Sequence, residues 1–317
     1  MKKINKWALI TLLSFLVSAC SLHPDHVQMV NQQPDIYPDY IGVTIPVDIA
    51  PLNFSMTDDD FTDVYVDVKG EKGGSIHAEG TYADFDVDEW HQLLKANKGS
   101  RLLVSVMACR EGNWYQYRDF SIEVSPNPLD EWGITYRRIA PSYALYGHMG
   151  LYQRCLSDFT ETSMLENSQV HGQCMNCHTQ NRTNPEQYVF HVRGEHGATV
   201  VHQHGKDVLL KARNDSLGGT MVYPYWHPSG RYCAFSTNKT AQMFHTGNNK
   251  RIEVFDTSSG VFVYDMEKHE VIKDTLIMTT GWAENTPAFS PDGKWLYFTT
   301  ARCGNYPKGY DQVKYSL

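Results

Sequence analysis

The residues best suited to chemistry stand close together in the segment QVHGQCMNCHTQN, residues 169–181. Cys174 and Cys177 are separated by two residues, and His178 directly follows the second cysteine. This CxxCH spacing is typical of covalent haem attachment, because two intervening residues set the thiols at the spacing of the haem vinyl groups. A haem, a metal ion and a disulfide are the chemistries that the segment permits.

The haem interpretation assigns a role to each residue of the motif. In a c-type site the two thiols add across the vinyl groups, and the adjacent imidazole ligates the iron. Cys174 and Cys177 are accordingly the predicted thioether anchors, and His178 is the predicted proximal iron ligand. His191, in FHVRG, is the first candidate for the distal ligand. Two methionines are the further candidates, Met164 and Met221.

Other chemistry would use the same residues. A Cys174–Cys177 disulfide suits an exported protein, since exported proteins meet an oxidising compartment. A zinc site needs about four ligands, of which His171, His178 and either cysteine would supply a part. A thioredoxin-like redox pair would need a βαβ context, which the surrounding pattern does not show. The residues alone leave the disulfide and the metal site open.

The beginning of the chain predicts export. MKKINK is basic, and the apolar run WALITLLSFLV that follows is shorter than the roughly 20 residues of a transmembrane helix. The residues LVSAC resemble a bacterial lipobox, which implies a signal peptide over residues 1–19 and lipidation of Cys20. More than one acyl chain anchors a protein stably. We therefore expect a lipid-anchored protein of the cell envelope, on the periplasmic or surface face of the outer membrane.

Charge and length limit the possible partners and the domain count. The 317 residues carry 36 acidic and 28 basic side chains, a net charge of −8, which argues against nucleic acid as a partner. The length predicts two domains. Residues 20–40 are polar and contain three prolines, which predicts a tether between the lipid anchor and the folded part.

The elements that would position the motif are mostly strands. Residues 41–128 alternate between strand-like runs and turns, which predicts a β-sandwich-like domain. Within it, DVDEWHQLLKANKG predicts one helix, with Asp86 or Asp88 as its N-cap and Gly99 just beyond its end. Residues 129–186 are predicted to be a connector that carries the CxxCH motif and a short helix in SDFTETSMLEN.

A repeat follows the motif. YPYWHPSGRYCAFSTN, residues 223–238, is similar to TPAFSPDGKWLYFTTA, residues 286–301, and each segment predicts a strand, a turn with glycine and a second strand. SPDGK before an aromatic strand resembles the TolB-like β-propeller repeat. This likeness implies propeller blades over residues 187–317. A blade takes about 40–45 residues and a propeller has four to eight blades, so the span predicts an incomplete propeller, as in a truncated form.

Several segments together resemble one family over nearly all of residues 36–317. They are YPDYIGVTIPVDIAPLNF, CMNCH, FHVRG, YPYWHPSGRYCAFSTN and FSPDGKWLYF. They are similar to Bacteroidetes lipoproteins that combine a TolB-like propeller with a cytochrome c-type CxxCH motif. The resemblance implies a membrane-anchored protein with one covalent haem c. We expect it to transfer electrons, with the propeller docking a redox or envelope protein partner.

The second hypothesis comes from a different class. A haem-free TolB-like protein would recognise envelope proteins or glycans through its propeller, with Cys174 and Cys177 joined in a disulfide. Catalysis is not expected under either hypothesis, because the sequence shows no nucleophile paired with a base. Covalent haem is the property that separates the two.

Overall fold

The computed structural model is mostly β, with 55% of residues in strands and 6% in helices, which confirms the predicted class at that level. Two compact units make up the chain, residues 1–129 and residues 130–317. Within the described residues no helix is long and apolar enough to cross a bilayer. The structure describes residue 24 and residues 26–129, 133–140, 147–195, 197–210, 220–247, 252–272, 274, 276–304 and 309–317.

The described part of the first unit contains one large sheet and one small ribbon. Its strands are β1 (Val27–Met29), β2 (Ile36–Tyr37), β3 (Thr44–Ile45), β4 (Ser55–Met56), β5 (Phe61–Gly70), β6 (Ser75–Gly80), β7 (Arg101–Arg110), β8 (Asn113–Gln116) and β9 (Phe120–Val124). The central strand β7 pairs with β5 on one edge and with β8 and β9 on the other. Strand β6 extends the sheet beyond β5, while β1 runs parallel to β8 and β3 runs parallel to β9.

The predicted helix is α1 (Val87–Ala96). The Asp86 carboxylate accepts the backbone N–H groups of Asp88 and Glu89, which satisfies donors that a helix leaves without partners in its first turn. The helix buries one face, formed by Trp90, Leu93 and Leu94. The N-cap and the position of the helix are therefore as the sequence predicted.

The predicted sandwich is not the arrangement of this unit. In the described residues, the seven-stranded sheet shares its core with α1 and the two-stranded β2–β4 ribbon, and the structure gives it no second sheet of comparable size. Val64, Val66 and Val68 on alternate positions of β5 belong to the same core as Trp90 and Phe54. The bulky helix residues thus occupy the layer that a second sheet would have filled.

The described part of the second unit contains four antiparallel sheets, each built from consecutive strands. Sheet I has β10 (Gly133–Ile139), β11 (Met149–Cys155) and β12 (Glu161–Glu166). Sheet II has β13 (Met175–Asn181), β14 (Asn184–Val192), β15 (Ala198–Gln203) and β16 (Lys206–Leu210). Sheet III has β17 (Thr220–Trp226), β18 (Tyr232–Phe244), β19 (Ile252–Asp265) and β20 (Glu270–Ile272). Sheet IV has β21 (Trp282–Phe289) and β22 (Leu296–Arg302). None of these sheets closes on itself.

The predicted connector, residues 129–186, differs from the structure. Its described residues form sheet I, strand β13 and the first part of β14, so the CxxCH motif lies in a sheet. The helix predicted in SDFTETSMLEN is also wrong, because Glu161–Glu166 form β12, followed by a 3-10 turn over Asn167–Val170. A neighbouring strand, β11, offers β12 a hydrogen-bonding ladder, and this tertiary pairing overrides the local helix signal.

Both predicted hairpins of the repeat are confirmed. β17 pairs with β18, and β21 pairs with β22. In each turn a glycine with φ of +73°, Gly230 or Gly293, donates its N–H three residues back to the carbonyl of His227 or Ser290. Only glycine adopts this left-handed backbone without steric cost, which is why the turn sequence is a strong signal.

Side chains of sheets II and III each contact the turn of the following sheet. Gln187 of sheet II donates to the Gly230 carbonyl of sheet III over 2.7 Å, and His227 of sheet III contacts the Gly293 carbonyl of sheet IV over 3.0 Å. A Cβ atom on Gly230 would lie 2.7 Å from Gln187, and one on Gly293 would overlap the His227 imidazole. The first strands β10, β13, β17 and β21 contact one another in this order.

Candidate functional site

The first strands of sheets II, III and IV share one irregularity. Each ladder shifts register at the same point, between Asn176 and Thr179, between Val222 and Tyr225, and between Asn285 and Ala288. The residue that enters each bulge has a positive φ: 53° at Cys177, 49° at Tyr223 and 47° at Thr286. Left-handed backbone is uncommon for residues other than glycine and costs on the order of 1–3 kcal/mol. Its threefold recurrence indicates a property of the repeat.

The CxxCH motif occupies this bulge. Cys177 and His178 stand where β17 has Tyr223 and Pro224 and where β21 has Thr286 and Pro287. The segment CMNCHTQN is therefore a further copy of the repeat. The sequence pattern did not reveal it, because the Pro-x-Gly turn does not follow β13. A bulge turns side chains away from the regular alternation of a strand, and this affects the direction of Cys177.

Cys174 lies in an apolar cluster. It is 8% exposed and packs in the core between sheets I and II, with Met149 and Leu151 of β11 and Phe190 of β14. Met164, a candidate iron ligand, packs against the same cluster. The other methionine candidate, Met221, belongs to the separate core between sheets II and III.

Cys177 is half-buried in the bulge of β13. The pKa of Tyr223 is raised, chiefly by burial and then by the nearby Asp256 and Cys177, while Arg193 opposes this change. All six cysteines among the described residues are free thiols, so the alternative of a Cys174–Cys177 disulfide is not formed there.

His178 has an unusual environment. Its Nε2 lies 3.2 Å from the Thr135 carbonyl of β10, while Nδ1 is buried and has no hydrogen-bond partner within the described chain. Burial lowers the pKa of the imidazole, the Thr135 bond opposes this, and Arg137 adds to the lowering. A neutral ring that donates one N–H to a carbonyl leaves its other nitrogen able to bind a metal.

His191 is buried in β14, directly opposite Asn176 of β13. Its Nδ1 lies 3.1 Å from the Thr199 hydroxyl of β15. Burial, assisted by Arg193, lowers the pKa of His191 to about 4, so the ring is neutral at pH 7. The structure therefore brings the predicted distal ligand to the strand next to the motif.

The predicted haem-binding residues do not fit a haem as they are arranged. The His178 ring suits an iron ligand, but Cys174 is 8% exposed and enclosed by the core between sheets I and II. Both thiols must reach the vinyl groups of one haem, and the enclosed Cys174 thiol is not open to such a ring. No cluster of three or more His, Cys, Asp or Glu side chains able to hold a metal ion occurs within the described ranges. Cys20, the predicted lipidation site, lies outside the described residues.

The bulge of β17 leads instead to a cavity of about 520 Å³ in the second unit. Ten residues from sheets III and IV and from the segment 309–317 line it: Tyr223, Thr240, Val254, Phe255, Asp256, Asn285, Thr299, Tyr310, Val313 and Tyr315. This volume falls within the range of about 300–1,000 Å³ that is usual for small-molecule sites. The cavity combines aromatic walls with hydrogen-bonding groups.

The polar groups of the cavity form a connected network. The Asn285 amide donates to Asp256 Oδ2 over 2.8 Å, and Asn285 Oδ1 accepts from the Ser236 hydroxyl over 3.0 Å. Thr286, in the bulge of β21, donates its backbone N–H to the same Asn285 oxygen. The Thr299 hydroxyl donates to the Asn285 carbonyl over 3.1 Å. Side chains that are held by one another in this way present fixed hydrogen-bonding directions to a ligand.

Tyr310 forms a fixed wall of the cavity. Its ring stacks on Phe255 at 4.8 Å between centroids, and its hydroxyl donates to Glu253 and lies 3.2 Å from His245 Nε2. The hydrogen bond to Glu253, followed by burial, raises the pKa of Tyr310 to about 12, so the hydroxyl keeps its proton at pH 7. His245 also pairs with Glu253 over 2.8 Å.

The sequence singled out none of these cavity residues. Tyr223 stood in the recognised repeat but only as a strand residue. Asp256 and Tyr310 lie in segments without a motif, and long-range pairing brings them to β17. No family model, no curated protein and no solved structure matches the chain.

Proposed function

We propose that this chain is a haem-free binding protein of the cell envelope, which binds a polar ligand in the cavity beside Tyr223. The cavity is the observation that carries the proposal, because its network of Asp256 and Asn285 is already formed and its aromatic walls are fixed. Preformed sites of this kind lose little freedom on binding. No nucleophile or general base is assigned to the cavity, so binding without catalysis is proposed.

Residues 187–317 are proposed to form TolB-like propeller blades. Support comes from the succession of antiparallel sheets, from the contacts between their first strands and from the joints at Gly230 and Gly293. Propellers place such sheets around a central axis with the first strand of each innermost. Strand β13 lies before residue 187, so we place the start of the first blade at Met175. The bulges of β13, β17 and β21 then lie at equivalent positions of successive blades, and Cys177 and His178 have a structural role there.

The proposed location is the outer membrane, with lipid at Cys20 as the membrane anchor. The predicted tether over residues 20–40 is wrong for its second part, because Val27–Met29 pair with β8 and Ile36 lies in the core. The residues before Val27 are therefore proposed to link the anchor to the fold. The resemblance of LVSAC to a lipobox supports this proposal. A binding protein held at the envelope meets ligands or protein partners outside the cytoplasm. The lipid anchor keeps it there after each ligand has dissociated.

A second candidate function is electron transfer through one covalent haem c. The observation that favours it is the buried Nδ1 of His178, which has no hydrogen-bond partner among the described residues and stands beside an intact CxxCH sequence. Cys174 and Cys177 would be the thioether anchors, His178 the proximal ligand and His191 the distal ligand. Attachment would require β13 to change its path so that both thiols reach one ring.

A haem stain after denaturing electrophoresis separates the two candidates. The protein is produced in a host competent for cytochrome c maturation, and thioether bonds survive denaturation. We expect no peroxidase signal. Retained signal that disappears in the double variant Cys174→Ala, Cys177→Ala would contradict the first proposal and establish the second.

The structural role of the motif is tested with the same preparation. His178→Pro places in β13 the residue that β17 and β21 carry at this point, so we expect the free energy of unfolding to change by about 1 kcal/mol or less. Thr179→Pro is the control, because β17 and β21 carry Tyr225 and Ala288 at this point and not proline, so we expect Thr179→Pro to cost more than His178→Pro. Equal losses in both variants would show that the three bulges are not equivalent.

A further inference from the structure

The walls of the cavity beside Tyr223 are aromatic rings that a ligand can reach. Tyr223 and Tyr315 are 46% and 42% exposed, and Tyr310 is fixed against Phe255 and Glu253. Aromatic faces attract apolar C–H surfaces and add more stabilisation than their area alone. A ligand that suits this cavity therefore presents a flat face of C–H groups.

The same cavity offers hydrogen-bond acceptors and donors in fixed positions. Asp256 Oδ2 accepts from the Asn285 amide, and the carboxylate has capacity for further donors. Thr240 and Thr299 add hydroxyl groups, which both donate and accept. A purely apolar ligand would strip water from the Asp256 carboxylate without replacing its hydrogen bonds, and this costs several kcal/mol.

The charge of the lining residues restricts the class of ligand further. Asp256 is the one carboxylate among the ten lining residues that the structure describes, and no Lys, Arg or His stands among them. An anionic ligand would bring a second negative charge close to Asp256, which is unfavourable at short distance in a partly buried site. An anion is therefore disfavoured, and the hydroxyl groups of Thr240 and Thr299 suit a ligand that carries several hydroxyl groups and an apolar face.

Carbohydrates combine these properties, since a sugar ring has one C–H face and a rim of hydroxyl groups. We infer that this cavity is a carbohydrate-binding site for a neutral mono- or disaccharide unit. The unit stacks on Tyr223 or Tyr310 and donates its hydroxyl groups to Asp256. This inference rests on the proposed binding function and assigns its ligand class.

Isothermal titration calorimetry of the full chain tests the inference. The probes are cellobiose, maltose, lactose, mannobiose and chitobiose at millimolar concentration, and we expect at least one of them to bind. Tyr223→Ala should weaken this binding at least tenfold, because it removes a wall, and Asp256→Asn should do so because it removes the charged acceptor. Tyr225→Ala is the matched control, since Tyr225 is 42% exposed in the same strand but lies outside the cavity.

Other results of the titrations would overturn the inference. If none of the five sugars binds, or if the bound sugar is unaffected by Tyr223→Ala and Asp256→Asn, the inference is overturned. A thermal-shift screen of the same protein with a peptide library separates this failure from that of the proposed function. Stabilisation by a peptide that depends on Tyr223 would keep the binding function and reject carbohydrate. Circular dichroism shows whether each variant is folded. If Tyr223→Ala does not fold, Asp256→Asn still tests the inference, because it keeps the shape of the side chain.

Discussion

The hairpins β17–β18 and β21–β22 have similar sequences and the same turn, yet they differ in burial. Phe235 in the first hairpin is completely buried, whereas its counterpart Phe298 is half-buried. Trp226 is 4% exposed, while its counterpart Phe289 is half-buried. The first hairpin lies in a four-stranded sheet and the second in a two-stranded one. Local sequence thus determines the strand and the turn, and neighbouring strands determine how much apolar surface is buried.

The two turns also differ in their ion pairs. Arg231 binds Asp265 of β19 through two nitrogens, and Asp265 is 2% exposed. In the second turn, Lys294 and Asp292 are 3.5 Å apart and both side chains are mostly exposed. The first pair ties its turn to a neighbouring strand, while the second lies within its own turn. The two turns therefore have similar sequences, but the ion pair of the first turn binds it to a neighbouring strand and that of the second turn does not.

Deletion of the equivalent aromatic rings should give the largest difference between the hairpins. Phe235→Ala removes a fully buried ring, and we expect the free energy of unfolding to fall by about 3–5 kcal/mol. Phe298→Ala removes a half-buried ring and should cost about 1–2 kcal/mol. Urea titrations measure both values. Equal losses would show that the hairpins are buried to the same extent.

The glycine of the second turn should be the next most sensitive position. Gly293→Ala combines a left-handed φ of +73° with overlap between the new Cβ and His227, and we expect a loss of about 2–4 kcal/mol. Gly281→Ala is the control, because Gly281 has a φ of +84° but open space around its Cβ position. The free energy of unfolding of Gly281→Ala should fall by about 1 kcal/mol, the cost of placing alanine in a left-handed backbone conformation. Similar losses in a thermal or urea titration would argue against a tight joint between sheets III and IV.

The ion pair of the first turn should produce a smaller, pH-dependent effect. Arg231, followed by the backbone N–H groups of Lys268 and Glu267, lowers the pKa of Asp265 from 3.8 to about 2, with burial opposing. A lowered carboxyl pKa stabilises the fold above pH 3.8, and this contribution disappears as the pH falls to about 2. Arg231→Gln should therefore be less stable than the parent at pH 5, and the difference should shrink towards pH 2.

Unfolding measurements between pH 2 and pH 6 check this expectation. Lys294→Gln is the matched control, and its stability should stay close to that of the parent, because exposed ion pairs contribute little. A difference between Arg231→Gln and its parent that stays constant over this pH range would mean that Asp265 is not the group concerned.

Those parts of the fold that depend on local signals were predictable. Asp86 and the apolar face of α1 specified a helix, and the glycine turns at Gly230 and Gly293 specified two hairpins. The strand β12 was not predictable, because its partner β11 decides its conformation. The sequence did not reveal the further copy of the repeat in β13. Cys177 stands there where the other copies have Tyr223 or Thr286, and His178 stands where they have proline.

The candidate site was less predictable than the fold. The sequence directed attention to Cys174 and Cys177, and the structure encloses Cys174 in an apolar core. The cavity instead joins Asp256 of β19 and Tyr310 of the last segment to Tyr223, across 33 or more positions of the chain. Residues so far apart meet only through strand pairing and sheet packing, for which a single sequence carries no spacing signal.

The joints between sheets have a direction. Sheet II contributes Gln187 to a glycine of sheet III, and sheet III contributes His227 to a glycine of sheet IV, so each joint has two unlike halves. Joints with unlike halves connect successive sheets head to tail, as heterologous interfaces connect the subunits of an assembly. The sheets can therefore be exchanged as modules only when each carries both of its own halves. A chimera that imports sheet III must bring His227 together with Gly230, or it leaves one joint without a partner.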